Sequence, residues 1–404
     1  MTVPLTESIE RRVAPGPTTP QLCNTKKQSP DNVSGLGVSI APDVESIDSE
    51  TEKQVAFALK KAVKDTITLD GRLNIVSQID ASREALCCKY SEEFDYIAAG
   101  YADGVIKGYN SSTGEEVFSL SDQDVKDRRA PVTSIKHRPV TKIYPITNYA
   151  NGCVKCWSYN FNQCLYTIKE KRQTFGITYH PRVPKFVTYG DDLRVYFYDE
   201  ESKIQERVLM SSEDQETHDG HMSRVFAACF HPRNNYELIT GGWDDVVQFW
   251  DLRQPHAIRH LSGIHMCGEG LDINSKGTEV LTCAYQGSDA LQIFDYGSGK
   301  KIVSIEPDIH SSKLYCGKFT TKDFIVTGGS DPNILRVIDI QTTATSASIN
   351  YLPGAIYSMD MGPPKKKVER GNNNKEQLRL KGDISVVPKI AFVSAKKLYQ
   401  IDFY

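Results

Sequence analysis

Downstream of Gly71 the chain alternates short apolar runs with polar turns. The runs are roughly four to six residues long, are rich in Val, Ile, Tyr and Thr, and are separated by Gly, Asn, Asp and Pro. This pattern is typical of β-strands joined by tight turns. One order of strand, turn, strand, small residues, acidic turn, strand and closing dipeptide recurs down the chain, which indicates a repeated sheet unit.

The closing dipeptides, usually an aromatic and then a polar residue, mark the period of this repeat. They are Tyr109-Asn110, Trp157-Ser158, Tyr198-Asp199, Trp250-Asp251, Phe294-Asp295, Ile338-Asp339 and Ile401-Asp402. Subtracting successive positions gives intervals of 48, 41, 52, 44, 44 and 63 residues. Most are close to the ~40–45 residues of a four-stranded propeller blade. The sequence therefore predicts an all-β, seven-bladed propeller.

The first 65 residues follow different patterns. Residues 1–48 are rich in Pro, Ser, Thr, Asn and charge and contain no aromatic residue, so we expect a disordered tail. Residues 49–65 open with Ser49 and Glu52 at capping-box spacing and place apolar side chains on one stripe, which predicts a short helix.

The clearest unit, GHMSRVFAACFHPRNNYELITGGWDDVVQFWDLR from Gly220 to Arg253, resembles a WD40 repeat. The resemblance extends over residues 72–404 and implies a WD40 β-propeller. It also implies a buried hydrogen-bond chain through His221, Thr240, Asp244 and Trp250, in which each polar atom finds a partner. Other units keep parts of this chain at Asp103, at Thr147 with Asn151, and at Thr188 with Asp192.

Two features of the ends bear on ring closure. The last unit supplies three strands, whereas Arg72 to Ile79 form an unpaired strand upstream of the first blade. Pairing them would close the ring and remove two exposed sheet edges. Residues 362–388 are predicted to be a loop insertion in the last blade, and the run Lys365-Lys366-Lys367 within it fits either a nuclear-import signal or an ordinary solvated loop.

The resemblance also implies which side chains surround one end of the central channel, here called the rim. One set is the first residue past the top of each inner strand, and the other is the residue just before each acidic turn. The first set is Leu86, Thr133, Phe175, Phe226, Glu269, Tyr315 and Tyr357, and the second includes Asp191 and Trp243. We expect Phe226 and Trp243 to lie side by side and to sandwich an Arg or Lys side chain of a partner. The alternative is that these rings only plug the channel.

Composition and motifs argue against several other classes of function. The net charge is only −3, and no apolar run reaches the ~20 residues of a membrane span, so we expect neither nucleic-acid nor membrane binding. No catalytic, cofactor or metal motif stands out, and Cys153 and Cys156, in a predicted strand, point to opposite faces. We therefore expect a non-enzymatic protein without cofactor or metal, in the cytoplasm or alternatively the nucleus.

The leading functional hypothesis is a scaffold or adaptor that binds other proteins or peptide segments through the rim. We expect a monomeric propeller within a larger complex. One alternative is a substrate receptor of a cullin-RING ubiquitin ligase, in which Arg253 would contact the ligase adaptor, because the segment Leu238 to Arg253 resembles that receptor motif. Another is a structural component of a cytoskeletal or ciliary assembly.

Overall fold

The second strands of the blades, such as Tyr96–Tyr101 and Glu237–Gly242, are buried along almost their whole length, because neighbouring sheets cover both of their faces. The computed structural model describes residues 67–137, 145–213, 218–306, 311–363 and 387–404. The predicted tail and N-terminal helix lie outside these residues, as do positions 364–386 of the predicted insertion, including its lysine run.

The first four blades are antiparallel sheets whose strands follow one another from the channel outward. Blade 1 contains β3 (Ala85–Tyr90), β4 (Tyr96–Tyr101), β5 (Ile106–Asn110) and β6 (Glu116–Leu120), and blade 2 contains β7 (Val132–His137), β8 (Pro145–Tyr149), β9 (Cys153–Ser158) and β10 (Gln163–Lys169). Blade 3 contains β11 (Thr174–Tyr179), β12 (Lys185–Gly190), β13 (Val195–Asp199) and β14 (Ile204–Leu209), and blade 4 contains β15 (Val225–Phe230), β16 (Glu237–Gly242), β17 (Val246–Asp251) and β18 (Ala257–Ser262).

The last three blades complete the ring. Blade 5 contains β19 (Leu271–Ile273), β20 (Glu279–Cys283), β21 (Leu291–Asp295) and β22 (Lys301–Ser304), and blade 6 contains β23 (Lys313–Phe319), β24 (Phe324–Ser330), β25 (Leu335–Asp339) and β26 (Thr345–Asn350). Blade 7 contains β27 (Met359–Met361), β28 (Ile390–Ser394) and β29 (Lys397–Phe403), with β2 (Leu73–Asp80) as its outermost strand. The predicted seven-bladed all-β propeller is confirmed.

The hydrophobic core lies between blades rather than within them. Among the described residues there are seven clusters of buried apolar side chains, one for each pair of adjacent blades. The cluster between blades 7 and 1 joins Val393 and Leu398 to Ala85 and Tyr90. Because every blade is covered on both faces, the ring has no blade that could be removed without exposing two apolar surfaces.

Two segments near the start of the described chain cover sheet edges. β2 pairs with β29 from Leu73↔Phe403 to Asp80↔Lys397, one residue later than the predicted range. A strand that the sequence pattern did not reveal, β1 (Thr68–Gly71), pairs with β26 and makes blade 6 five-stranded. Gly71, at φ 78°, lies where the chain passes from β1 to β2. An added Cβ there would lie 2.3 Å from the Ser346 carbonyl oxygen, so this position requires glycine.

A short helix, α1 (Gln123–Arg128), was also not predicted and connects blades 1 and 2. Asp122 caps it by accepting a hydrogen bond from the Val125 amide at 2.9 Å. Lys155 anchors the helix to blade 2 through Nζ contacts of 2.6 Å to Asp122 and 3.3 Å to Asp124. A six-residue helix has too weak a periodic pattern to be recognised among strands.

Cys153 and Cys156 both lie in β9 and both are buried free thiols. Cys153 belongs to the apolar cluster between blades 1 and 2, whereas Cys156 belongs to the cluster between blades 2 and 3. The two side chains therefore leave opposite faces of the sheet, as strand alternation requires.

Candidate functional site

Seven side chains, one from each blade, surround a single cavity of about 210 Å³. They are Leu86, Thr133, Phe175, Phe226, Glu269, Tyr315 and Tyr357. Since all seven blades contribute to one cavity, it is the mouth of the central channel. The structure thus brings together the whole first set of rim positions.

A β-bulge at the start of the inner strands aims these side chains into the mouth. In five blades the pairing register skips one residue there, for example between Val225 and Ala227. The skipped residues are Leu86, Thr133, Phe175, Phe226 and Tyr315. An unpaired bulge residue turns away from the sheet ladder, so its side chain can point into the channel.

Four rings from blades 3, 4 and 5 form a continuous stack on the rim. Ring centroids are 4.7 Å apart for Phe175 and Phe226, 5.5 Å for Phe226 and Trp243, and 6.0 Å for Trp243 and His265. The interplanar angles are 8°, 25° and 23°. Trp243 remains 42% exposed, and its indole N–H donates to the Cys267 sulfur at 3.1 Å.

Phe226 and Trp243, which were expected to sandwich a partner's cation, leave no space for one between them in this structure. The two rings do lie side by side, but they stack on each other with centroids 5.5 Å apart. A guanidinium or ammonium inserted between them needs roughly 7 Å, twice an ordinary carbon contact distance. The cation near Trp243 is instead this chain's own Arg224, whose guanidinium carbon is 5.1 Å from the ring centroid.

Three tyrosines from blades 5, 6 and 7 form a second aromatic group. Ring centroids are 4.9 Å apart for Tyr285 and Tyr315 and 5.1 Å for Tyr315 and Tyr357. Burial raises the pKa of Tyr357. Sequence reasoning missed Tyr285, because blade 5 lacks the acidic turn that locates the second rim set.

The two acidic rim positions are engaged by groups of the protein itself. Asp191 accepts a hydrogen bond from the Gln173 amide at 3.0 Å and does not line the mouth. Glu269 lies within 2.6 Å of Lys136 Nζ and accepts a hydrogen bond from Ser134 at 2.8 Å. Burial acts to raise the pKa of Glu269, but the charge and hydrogen bond of Lys136, the charge of Lys318 and the Ser134 hydrogen bond together lower it.

A charged layer lies beneath the mouth, three residues further along the inner strands. It includes Lys89, Lys136, Asp272, Lys318 and Asp360. Lys89 Nζ is 2.7 Å from Asp360, and Lys136 of blade 2 pairs with Glu269 of blade 5. Blades 2 and 5 are not neighbours, so this second ion pair spans the channel. Sequence reasoning missed this layer, although its constant offset of three residues was available.

The hydrogen-bond chain implied for blade 4 is present in full. Trp250 Nε1 donates to Thr240 Oγ1 at 2.7 Å, Thr240 Oγ1 is 2.6 Å from His221 Nε2, and His221 Nδ1 is 2.8 Å from Asp244. A neutral imidazole with its proton on Nδ1 satisfies all three contacts. Burial acts to raise the pKa of Asp244, but the hydrogen bonds that it accepts from His221 and the Met222 amide lower it overall.

Other blades replace parts of this chain with different groups. In blade 2, Trp157 donates to Thr147 at 2.9 Å. In blade 3, Arg172 takes the place of the histidine, donating to Thr188 Oγ1 at 2.8 Å and pairing with Asp192 and Glu170. Sequence reasoning missed Arg172 and Glu170, because neither residue type belongs to the repeat pattern.

Arg253 lies on the outer part of blade 4, and its side chain is 67% exposed. Its guanidinium donates three hydrogen bonds to Asp251, at 2.6, 2.9 and 3.1 Å, and its carbon lies 4.9 Å from the Tyr236 ring centroid. The charge is therefore fixed in orientation while it stays accessible to solvent.

The described parts of the chain contain no group of three His, Cys, Asp or Glu side chains suited to hold a metal ion. Within the same residues, no helix has the length and apolar character needed to cross a membrane. The chemistry that the rim offers is aromatic stacking and apolar contact.

Comparison with known proteins gives three matches. The family described as "WD domain, G-beta repeat" matches residues 212–251, which include β15 to β17 of blade 4. Cilia- and flagella-associated protein 52 of Chlamydomonas reinhardtii is 20% identical over 48% of this chain, and Protein tipD of Dictyostelium discoideum is 23% identical over 38%. The matched regions span 38% and 24% of those two relatives, so this chain corresponds to less than half of each.

Proposed function

We infer that this chain, which belongs to the WD40-repeat family of β-propellers, is an interaction scaffold that holds a peptide segment of another protein on its rim. WD40 propellers generally bind other proteins, and their repeat pattern reports packing rather than partner identity. The side chains of this molecule are therefore what indicate the rim as the binding surface.

The aromatic stack of Phe175, Phe226, Trp243 and His265 carries the proposal. A ring needed only to plug the channel would be covered by its neighbours, yet Trp243 stays 42% exposed after stacking. Trp and Tyr are enriched among the residues that dominate binding energy at protein interfaces. A stacked ring is also held rigidly, so little conformational entropy is lost when a partner covers it.

The test is affinity purification with the double variant Phe226→Ala, Trp243→Ala, followed by quantitative mass spectrometry. We expect the proteins that bind wild type to be depleted at least tenfold, because truncating an interface anchor costs roughly 2 kcal/mol or more. The matched control is Phe161→Ala in the turn between β9 and β10, where the ring is 75% exposed and outside the rim. Equal capture by the double variant and the control would refute the rim proposal.

A second candidate is a structural component of a ciliary or cytoskeletal assembly. It is favoured by the similarity to a relative whose name places it with cilia and flagella. The same purification separates the candidates. Axonemal proteins among those lost from the double variant would support the ciliary candidate. Cullin-RING adaptor subunits among them would support the ligase alternative. The ligase alternative further requires that adaptor capture depends on Arg253.

A further inference from the structure

The size of the channel mouth limits what can enter it. Its volume of about 210 Å³ is below the ~300–1,000 Å³ of typical small-molecule sites. The ion pair between Lys136 and Glu269 crosses the channel beneath the mouth. The mouth is therefore a shallow cup with room for one side chain.

The wall of this cup is largely apolar. Phe175 and Phe226 form one side with stacked rings, Tyr315 and Tyr357 form another with an edge-to-face pair, and Leu86 lies between these sides in the ring order. None of these side chains is fully buried. Their exposed apolar surface would be removed from water by an apolar occupant.

The carboxylates near the cup are already engaged. Glu269 contacts Lys136 and Ser134, Asp360 contacts Lys89 and the Tyr90 amide at 2.9 Å, and Asp272 accepts from the Phe319 amide at 2.8 Å. A cationic side chain placed in the cup would lose its hydration without gaining an unpaired counter-charge. Burial of an unpaired charge is strongly unfavourable.

An anionic side chain meets the opposite difficulty. Lys89 and Lys136 of the charged layer form ion pairs with carboxylates, whereas Lys318 forms none among the described residues. Burial acts to lower its pKa, but the charges of Asp272, Asp360 and Glu269 outweigh burial and raise it. An incoming carboxylate that approached Lys318 would be repelled by the same three carboxylates.

We propose that the channel mouth binds one uncharged aromatic or large aliphatic side chain, presented by a peptide segment of a partner protein. This inference rests on the proposed rim function and specifies its central contact. The anchor side chain fills the cup between the Phe175–Phe226 pair and the Tyr315–Tyr357 pair, while flanking peptide residues cover Trp243.

The test uses a library of random linear dodecapeptides displayed on phage and selected against the full chain. Selected peptides are then measured against Thr133→Trp, which fills the cup without removing a rim ring. The matched control is Thr342→Trp, in the turn between β25 and β26 at the far end of blade 6. We expect one aromatic or large aliphatic position to be shared among the peptides, and binding to be lost in Thr133→Trp alone.

A second measurement does not depend on any protein variant. Replacing the shared position of a selected peptide by Ala should weaken binding to the wild-type protein roughly tenfold or more, and replacing it by Lys or Glu should weaken it further. Two results would overturn the anchor inference and leave the rim function standing. In the first, peptides whose binding requires Phe226 and Trp243 share a charged position instead of an apolar one. In the second, such peptides bind Thr133→Trp as tightly as wild type. Enrichment of no rim-dependent peptide would overturn both.

Discussion

Five blades carry a threonine at one register position of the second strand, and its partners differ from blade to blade. The residues are Thr147, Thr188, Thr240, Thr282 and Thr327. Thr240 links an indole to an imidazole, whereas the Thr327 hydroxyl is buried with no hydrogen-bond partner among the described residues. The same residue type therefore contributes differently according to what surrounds it.

Substituting Thr240→Val should lower the free energy of unfolding by about 2–4 kcal/mol. Valine has nearly the same shape, but it leaves the Trp250 N–H and the His221 Nε2 buried without partners, and each such loss costs roughly 1–3 kcal/mol. Denaturant titration followed by circular dichroism measures the change.

The control for this prediction is Thr327→Val at the equivalent position of blade 6. No described hydrogen bond is lost there, so its stability should stay within about 0.5 kcal/mol of wild type or rise. Equal destabilisation by both substitutions would contradict the hydrogen-bond explanation.

At the scale of elements, histidine turns join neighbouring blades at the end of the propeller away from the rim. His180 Nδ1 accepts the amides of Arg182 and Val183, both at 3.1 Å, while its Nε2 donates to the Asn235 carbonyl of blade 4 at 3.0 Å. His231 repeats this arrangement toward the Gly277 carbonyl of blade 5. An Nδ1 that accepts two amides cannot carry a proton, so these turns require neutral imidazole.

Acidification should therefore destabilise the propeller. Burial lowers the pKa of His180 and lowers that of His137 to about 3, so the His137 imidazole stays neutral in the folded protein at pH 5. The unfolded imidazoles take up protons near pH 6.5, so the free energy of unfolding decreases as the pH falls below about 6.5. Between pH 7.5 and 5.0 we expect a loss of up to about 2 kcal/mol from His137, measured by denaturant titration.

His137→Gln should show a shallower pH dependence, because glutamine does not titrate and can still hydrogen-bond Tyr159, which contacts His137 Nε2 at 2.6 Å. His218→Gln, at an exposed position, should keep the wild-type slope. If His137→Gln also kept the wild-type dependence of unfolding free energy on pH, the buried His137 imidazole would not be a source of the acid sensitivity.

At the scale of the molecule, stability depends on closing the ring. β2 covers the edge of β29 and inserts Leu73 into the core between blades 6 and 7. β1 covers the edge of β26, but all four of its residues are exposed. The two outer strands therefore differ in how much apolar burial they add.

A chain beginning at Arg72 should fold, with a loss of less than about 2 kcal/mol, because among the described residues it lacks only the exposed strand β1 and the partly buried Ile67. A chain beginning at Ser82 lacks β2 as well and should aggregate, because the apolar edge of blade 7 is left open. Soluble yield, size-exclusion chromatography and thermal melting distinguish the two. Similar behaviour of both chains would show that β2 is not needed for closure.

The sequence by itself determined the repeat. Turn residues, apolar runs and closing dipeptides depend on contacts within one blade, so they revealed seven units, while the residues that surround the mouth followed from the resemblance to WD40 repeats. Six of the closing dipeptides, from Tyr109-Asn110 to Ile338-Asp339, end the third strand of their blade. Local patterns of this kind are readable because strand period and turn chemistry act over a few residues.

Only the tertiary structure decided which groups meet across the ring. The pairing of Lys136 with Glu269, the added strand β1, and the stacking of Phe226 on Trp243 all join residues from different strands or blades. Their meeting depends on blade order, bulge geometry and ring curvature, which no local pattern encodes. For that reason the rim position was predictable, while the direct stacking of Phe226 on Trp243 was not.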